Sequence, residues 1–277
     1  MAEAVKDAVN AAKEGLQQLK MSDKKQQPKK EKKKPNKDTA AGPDELSPPA
    51  EYIDHRIQLF EKLHAKYKED IAKKPREDIT VTLPDGSIKV GKSWETTPGD
   101  IARGIAKSLF ERVFISRVDG EVWDLDRPLE GNCKLELLDF ADAEAKKVYW
   151  HSSAHILGEA AERRWGCDLC IGPPVEDGFY YEMALPGGAA VYEADWSPLE
   201  RVAQKAIKEK QPFVRLELSK DNLLEMFKSN KYKQHLIKDK IPDGTSTTVY
   251  RCGPLIDLCR GPHGECPSVG WAIATTC

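Results

Sequence analysis

Two short motifs, far apart in the chain, contain residue types that bind metals or transfer protons. His151 and His155 are four residues apart, so both imidazoles face one side of the chain if this segment is helical. Cys259 and His263 have the same separation, but the Gly-Pro pair between them excludes a regular helix. Three of the six histidines lie in these motifs. Together the motifs predict a polar site that handles protons or holds a metal ion.

Other interpretations of these side chains stay open at this point. Three imidazoles and a thiolate suit tetrahedral zinc, whereas the histidines could instead be hydrogen-bonded core residues without a ligand. A separate Cys-x-x-Cys pair, Cys167 and Cys170, has no second close pair, and Cys252 is only a remote possible partner. We therefore interpret that pair as two small buried thiols rather than as a zinc or redox motif.

Length and composition are those of a globular chain. Its 277 residues are enough for two modest domains with tails, and 40% apolar with 32% charged residues favour a water-soluble protein. No apolar run is long enough to span a membrane, and the N-terminus lacks the apolar segment of a secretory signal. Seven cysteines in such a chain are expected to be reduced thiols, which predicts a cytosolic location.

The net charge of −2 conceals a basic segment. Residues 22–37 contain eight lysines and two acidic residues, so this segment carries +6 and the rest of the chain −8. We expect residues 1–50 to form a disordered Lys-rich extension in which residues 4–20 have the spacing of a short amphipathic helix. The lysines suit contact with RNA, and a solvated tail or a nuclear-import signal is the alternative.

The next ninety residues predict a helix followed by a small α+β module. Apolar residues at helical spacing predict a helix over 50–74. Alternating residues around Asp85-Gly86 and around Asp119-Gly120 predict two hairpins, and residues 133–138 a closing strand. Between the hairpins, residues 98–112 have the pattern of one helix with Thr97 as its N-cap.

The remaining elements predict a second α+β domain that contains both motifs. Residues 141–165 are helical in pattern and include His151 and His155. Residues 179–183, 213–218 and 247–253 have the composition of strands, and residues 197–210 and 220–228 that of helices. Mixed helices and strands without strict alternation indicate an α+β class.

Several longer stretches then resemble a known family. VTLPDGSIKVGKSWETTPGDIARGIAKSL, followed by VDGEVWDLDRPLEGNCKLELL, resembles the TGS module, a ubiquitin-like β-grasp domain. HSSAHILGEAAERRW, IGPPVEDGFYYE and DLCRGPH resemble the editing domain of threonyl-tRNA synthetases of the eukaryotic cytosolic type. The resemblance covers residues 79–263. It implies a linker helix at 51–76, a TGS domain at 77–141 and an editing domain at 142–263.

The resemblance implies an activity and a set of site residues. Editing domains hydrolyse the ester of seryl-tRNA(Thr), and the implied core is His151, His155, Cys259 and His263. Lys233 corresponds to a positive charge for the developing oxyanion, and Asp257 to an acid that orients water or binds the substrate amine. Tyr181 corresponds to a pocket tyrosine and Arg260 to a contact with nucleic acid. No cofactor is required for this reaction in the threonyl branch, whereas the alanyl relatives are associated with zinc.

The resemblance ends near His263. Residues 264–277 do not resemble the continuation of the family, so we expect a truncated editing domain and no aminoacylation core, the part that uses ATP in full-length members. Besides an editing hydrolase, the chain could be a non-catalytic tRNA- or protein-binding fragment, or an unstable truncation product with an exposed sheet edge. We expect tRNA(Thr) as partner, no membrane, and a monomer.

Overall fold

The computed structural model of the chain describes residues 43–172, 174–175 and 178–264. The predictions for most of the Lys-rich extension, for its short helix and for the tail beyond residue 264 lie outside these residues. Within the described part, none of the helices combines the length and apolar character that a bilayer crossing requires.

The first sheet has five strands in the order β2-β1-β5-β3-β4. β1 (Asp78–Thr82) and β2 (Ile88–Lys92) form one antiparallel hairpin, and β3 (Ile115–Val118) with β4 (Glu121–Trp123) forms the other. β5 (Cys133–Leu138) lies between the hairpins, parallel to β1 and antiparallel to β3. Both predicted hairpins and the closing strand are confirmed, and the topology is that of a β-grasp domain.

One helical region packs on this sheet, and it is divided in two. α2 (Pro98–Ile105) begins with a capping box in which Thr97 and Asp100 bond reciprocally, so the predicted N-cap is confirmed. The prediction of one helix over 98–112 was wrong, because Ala106 is extended and α3 (Lys107–Arg112) follows it. Ile101 is buried whereas Ile105 is exposed, so the apolar spacing did not correspond to one continuous buried face.

The helix α1 (Glu51–Ala72) contributes to the core of the second part of the chain. Ile53 and Phe60 on its predicted apolar stripe are buried. Phe60 lies in a cluster with residues of the second sheet and its helices, among them Leu216, Leu223 and Ile256. Burying this stripe contributes to stability by removing apolar surface from water.

The long helix α4 (Ala143–Trp165) carries the first motif. The Asp142 side chain accepts a hydrogen bond from the Glu144 amide at the N-terminus, and Gly166 ends the helix in the left-handed region at φ 59°. Thirteen of its residues are buried, because it packs against α5 (Trp196–Lys208) and against the second sheet. The buried surface of α4 is accordingly wide, and it includes polar residues such as Ser152, His155 and Glu159.

Two short strand pairs follow α4. β6 (Asp168–Leu169) pairs with β9 (Met183–Ala184), and β7 (Pro174–Val175) pairs with β8 (Gly178–Phe179). The single strand predicted over residues 179–183 was wrong, because the aromatic run is split between two pairs. Two 3-10 turns, Pro186–Gly188 and Glu193–Asp195, precede α5.

The second sheet consists of β10 (Phe213–Ser219), β11 (Ser246–Cys252) and β12 (Leu255–Leu258), all antiparallel in that order. α6 (Lys220–Met226) and α7 (Lys231–Lys240) connect β10 to β11. The strands of 213–218 and 247–253 and the helix of 220–228 were predicted, within two residues at each end. α7 and β12 were not, because seven of the ten residues of α7 are charged or polar and β12 is only four residues long.

The β-grasp domain shares a core with the N-terminal half of α4. Phe114, Ile115 and Leu138 of the first sheet are buried in one cluster with Ala145 and Val148 of α4. The Arg117 side chain, on β3, forms ion pairs with Glu136 on β5 at 2.6 Å and with Glu144 on α4 at 2.7 Å. The helix that carries the first motif is therefore fixed at its start by the first domain.

Candidate functional site

The structure brings the two motifs together. One ligand atom from each of His151, His155, Cys259 and His263 lies within 4.8 Å of the other three. Sγ of Cys259 is 3.2 Å from Nε2 of His151 and 3.1 Å from Nε2 of His263. α4 supplies the first two side chains, and the segment after β12 supplies the others. We call these four residues the His/Cys cluster.

Contacts around His263 define which ring nitrogen carries its proton. The Ser152 hydroxyl donates its only proton to the Val148 carbonyl at 2.9 Å, and its oxygen lies 3.1 Å from Nδ1 of His263. With the Ser152 proton on the Val148 carbonyl, we assign Nδ1–H of His263 as the donor in that pair, which leaves the Nε2 lone pair facing Cys259. Phe213 stacks on the same imidazole with ring centroids 4.4 Å apart. This arrangement suits a thiol proton or a metal ion at the centre of the cluster.

Burial keeps the His/Cys cluster uncharged. Desolvation lowers the pKa of His151, lowers that of His263 well below its usual range, and lowers that of His155 to about 3. Desolvation also raises the pKa of the Cys259 thiol. Nδ1 of His155 is buried and has no hydrogen-bond partner in the described part of the chain. The three imidazoles of the cluster are therefore neutral, and Nδ1 of His155 is free to form a hydrogen bond with a substrate or water.

A buried ion pair lies beside the cluster. Nζ of Lys233 is 2.6 Å from Oδ1 of Asp257, and both side chains are at most 5% exposed. The Tyr181 hydroxyl donates to the other carboxylate oxygen of Asp257. Burial by itself would raise the pKa of Asp257, but the Lys233 ammonium and the Tyr181 hydroxyl outweigh it and hold that pKa at about 2. The pair therefore places a fixed ammonium and a fixed carboxylate near the imidazoles.

Neighbouring elements fix the positions of Lys233 and Tyr181. Asn230, the N-cap of α7, accepts hydrogen bonds from the Tyr232 and Lys233 amides and donates one to the Leu169 carbonyl at 2.8 Å. The Tyr181 ring packs directly on two glycines. A Cβ at Gly158 would lie 2.8 Å from that ring and a Cβ at Gly172 2.5 Å, so only glycine permits this approach.

Arg260, the pair Cys167 and Cys170, and His235 are not among the four residues of the His/Cys cluster. Arg260 is exposed, and it lines a cavity of about 250 Å³ together with Lys240, Leu258 and Cys259. Cys167 is buried and Cys170 half-buried, and neither belongs to a metal-binding group within the described residues. His235 is exposed and lies outside the His/Cys cluster.

Two contributors to the site were not predicted from the sequence. The Asp124 carboxylate, from the first domain, accepts hydrogen bonds from the His263 amide and the Tyr250 hydroxyl, both at 2.8 Å. Arg56 of α1 forms a buried ion pair with Glu162 of α4 at 2.5 Å. A lone aspartate after a strand and an arginine in an amphipathic helix have no motif around them. Only the tertiary packing reveals these contacts.

Comparisons with known proteins agree with the fold. Residues 79–139 match the TGS domain family. The chain is 48% identical over 263 residues to "Threonine--tRNA ligase, cytoplasmic" of Saccharomyces cerevisiae, covering 90% of this chain and 36% of that protein. It is 53% identical to the protein of that name in Caenorhabditis elegans and 54% to "Threonine--tRNA ligase 1, cytoplasmic" of Homo sapiens, covering 80% and 79% of this chain and 30% of each relative. The chain spans about a third of the length of the curated relatives it matches.

Proposed function

This chain corresponds to an N-terminal part of the cytosolic threonine–tRNA ligases, and on that premise we propose that it hydrolyses seryl-tRNA(Thr). The observation that carries the proposal is the unpartnered Nδ1 of neutral His155 among the described residues, buried beside the fixed pair of Lys233 and Asp257. A proton acceptor, a positive charge and an acid within one buried site are the parts that ester hydrolysis needs.

A threonine-specific ligase has a physical reason to need such a hydrolase. Serine lacks only the methyl group of threonine, and a pocket that accepts threonine can reject the smaller side chain by only about 1–3 kcal/mol. A second site that hydrolyses the wrong ester increases the discrimination beyond what binding allows.

In the mechanism that we propose, the imidazoles handle protons and the ion pair handles charge. His155 is neutral at physiological pH and accepts a proton from the attacking water at its unpartnered Nδ1, although burial lowers its basicity. Lys233 stabilises the oxyanion of the tetrahedral intermediate. Asp257 binds the ammonium group of the seryl substrate or orients the water, and Tyr181 fixes the position of Asp257. A proton returned from an imidazole to the ribose oxygen completes the reaction.

A zinc-dependent version is the alternative for this cluster, since its donor set fits the metal. Three imidazole nitrogens and a thiolate are standard tetrahedral ligands of zinc. The distances of 3.2 and 3.1 Å from Sγ of Cys259 to Nε2 of His151 and of His263 are close to the separation of two ligand atoms that bind one zinc ion. Zinc would be held by all four residues and would supply Lewis-acid chemistry. Occupation by four protein ligands leaves no open position, which is typical of structural zinc. We therefore propose hydrolysis without a metal cofactor.

Chelation tests this cofactor proposal. Hydrolysis by the chain should persist after dialysis against a strong chelator, with zinc well below one ion per chain by elemental analysis. Stoichiometric zinc, with activity that is lost on chelation and restored by zinc, would establish the alternative.

Several wider properties are proposed from the relatives' names and the resemblance. We propose that the chain binds tRNA(Thr), that Arg260 and the Lys-rich arm contact it, that it is located in the cytosol and that it is a monomer. The domain boundaries at residues 51, 77, 142 and 264 belong to the same proposal. We assign ATP-dependent ligation to the full-length relatives. Sedimentation of the purified chain measures its mass in solution and so tests whether it is a monomer.

Deacylation assays test the function itself. The purified 277-residue chain should release serine from seryl-tRNA(Thr), and His155→Ala should abolish the excess over buffer. His235→Ala is the matched control, because that histidine is exposed and outside the cluster. A folded chain that binds tRNA(Thr) without hydrolysing the ester would instead support the non-catalytic alternative.

A further inference from the structure

The segment that supplies His263 is attached to the first domain as well as to its own sheet. Its amide donates to Oδ1 of Asp124 at 2.8 Å, and the other carboxylate oxygen accepts the hydroxyl of Tyr250 on β11. Asp124 thus joins the β-grasp domain to the His263 backbone and to the second sheet at one point.

Asp124 is itself held firmly by the first domain. It follows β4 directly, and the next residue, Leu125, is 3% exposed and accepts a hydrogen bond from the Gly99 amide at 2.9 Å. The Arg127 amide bonds back to the Asp124 carbonyl at 3.2 Å, so the carboxylate projects from a closed turn. A side chain on a fixed turn can determine the position of the backbone that it binds.

A second contact joins the same two segments. A Cβ at Gly264 would collide with the ring of Phe114, so the backbone after His263 rests directly against the first domain. Phe114 belongs to the cluster that also holds Ala145 and Val148 at the start of α4. The first domain therefore touches both halves of the site, the helix with the first motif and the segment with His263.

We propose that Asp124 is a positioning residue for the hydrolytic site, and that the TGS domain is a structural part of that site. The carboxylate fixes the His263 backbone, and the imidazole then lies between Ser152, Phe213 and Cys259 at the distances given above. Asp124 acts through His263 and does not touch substrate. This inference rests on the proposed hydrolysis of seryl-tRNA(Thr).

Kinetics of two substitutions at this position, in the full chain, test the proposal. Asp124→Ala removes both acceptors, and we expect kcat for seryl-tRNA(Thr) to fall about 10- to 100-fold, because a displacement of about 1 Å in a catalytic group can cost about 10²-fold, with KM within about twofold. Asp124→Asn keeps an oxygen for the His263 amide and should recover most of kcat. Asp126→Ala is the control, since that carboxylate lies two residues away, is exposed and should leave kcat unchanged.

A readout that does not depend on activity separates this proposal from the proposed function. Long-range ¹H–¹⁵N spectra of the histidine rings should show the His263 signals shifted in Asp124→Ala and unchanged in Asp126→Ala, with both variants unfolding cooperatively. If the wild-type chain fails to hydrolyse the ester, the proposed function fails, and the spectra still decide whether Asp124 positions His263. Unchanged His263 signals in folded Asp124→Ala would overturn the positioning role, as would kcat equal to that of the control in an active chain.

Discussion

At the scale of single residues, the buried ion pair between Lys233 and Asp257 is the most demanding feature of the site. Both charges have been removed from water, and their separation of 2.6 Å, together with the Tyr181 hydroxyl, compensates for that loss. A pair of this kind can contribute little net stability when intact. Removing one partner, however, leaves the other as an uncompensated buried charge.

We therefore expect Lys233→Met to lower the free energy of unfolding by about 3 kcal/mol. The additional substitution Asp257→Asn should recover part of that loss, because it removes the unpaired carboxylate. Urea unfolding measures both effects, and Lys231→Met, at an exposed position in the first turn of α7, is the control. A loss no larger than that of the control would mean that the two side chains are not paired.

The approach of Tyr181 to Gly158 gives a second prediction. Because a Cβ at this position would lie 2.8 Å from the tyrosine ring, Gly158→Ala should displace the ring from Asp257 and cost about 1–3 kcal/mol of stability. Activity should fall as well, if Tyr181 fixes the acid as we propose. Gly104→Ala is the matched control, because a Cβ on that helical glycine would meet no atom of the described residues within 4 Å and should be neutral or stabilising. Equal unfolding free energies for the two variants would contradict the close packing.

At the scale of secondary structure, the sequence predicted the elements whose signals are local. Thr97 as an N-cap, the turns at Gly86 and Gly120 and the helix with His151 follow from capping, turn chemistry and periodicity. The break at Ala106 and the lysine-rich α7 have no local signal of this kind, since tertiary packing determines them. Asp124 was missed for the same reason, because its role exists only once two domains meet.

The role of α1 is a tertiary property that can be tested. Phe60 is 1% exposed among apolar residues of the second domain, so Phe60→Ala should cost about 3–5 kcal/mol, the usual loss for a buried phenylalanine. Lys62→Ala, exposed on the same helix, should change stability by less than about 0.5 kcal/mol. Thermal or urea unfolding measures both. A small loss for Phe60→Ala would mean that α1 is a linker helix without a place in the core.

At the scale of the whole molecule, a buried acid on α4 makes stability depend on pH. Desolvation raises the pKa of Glu159 to about 7 although Arg163 lies 2.8 Å away, and the unfolded value is near 4.5. Between about pH 4.5 and pH 7, Glu159 therefore keeps its proton in the folded chain and has lost it in the unfolded chain. The stabilising contribution of this group is complete below about pH 4.5 and declines as the pH rises through about 7.

Substitution of this acid tests the pH dependence. Unfolding free energies measured from about pH 5 to about pH 8 should fall with rising pH by more in the wild-type chain than in Glu159→Gln, since the amide cannot lose a proton. The expected difference in slope corresponds to on the order of one proton over this interval. Parallel profiles would show that Glu159 is already ionised at the acidic end of the range.

The most direct test of the central claim compares the two esters that the site must tell apart. The purified chain should hydrolyse seryl-tRNA(Thr) faster than threonyl-tRNA(Thr), and His155→Ala should reduce the seryl rate to that of buffer. A seryl rate equal to buffer in a folded, tRNA-binding chain, or one unaffected by His155→Ala, would contradict the assignment of the His/Cys cluster as a hydrolytic site.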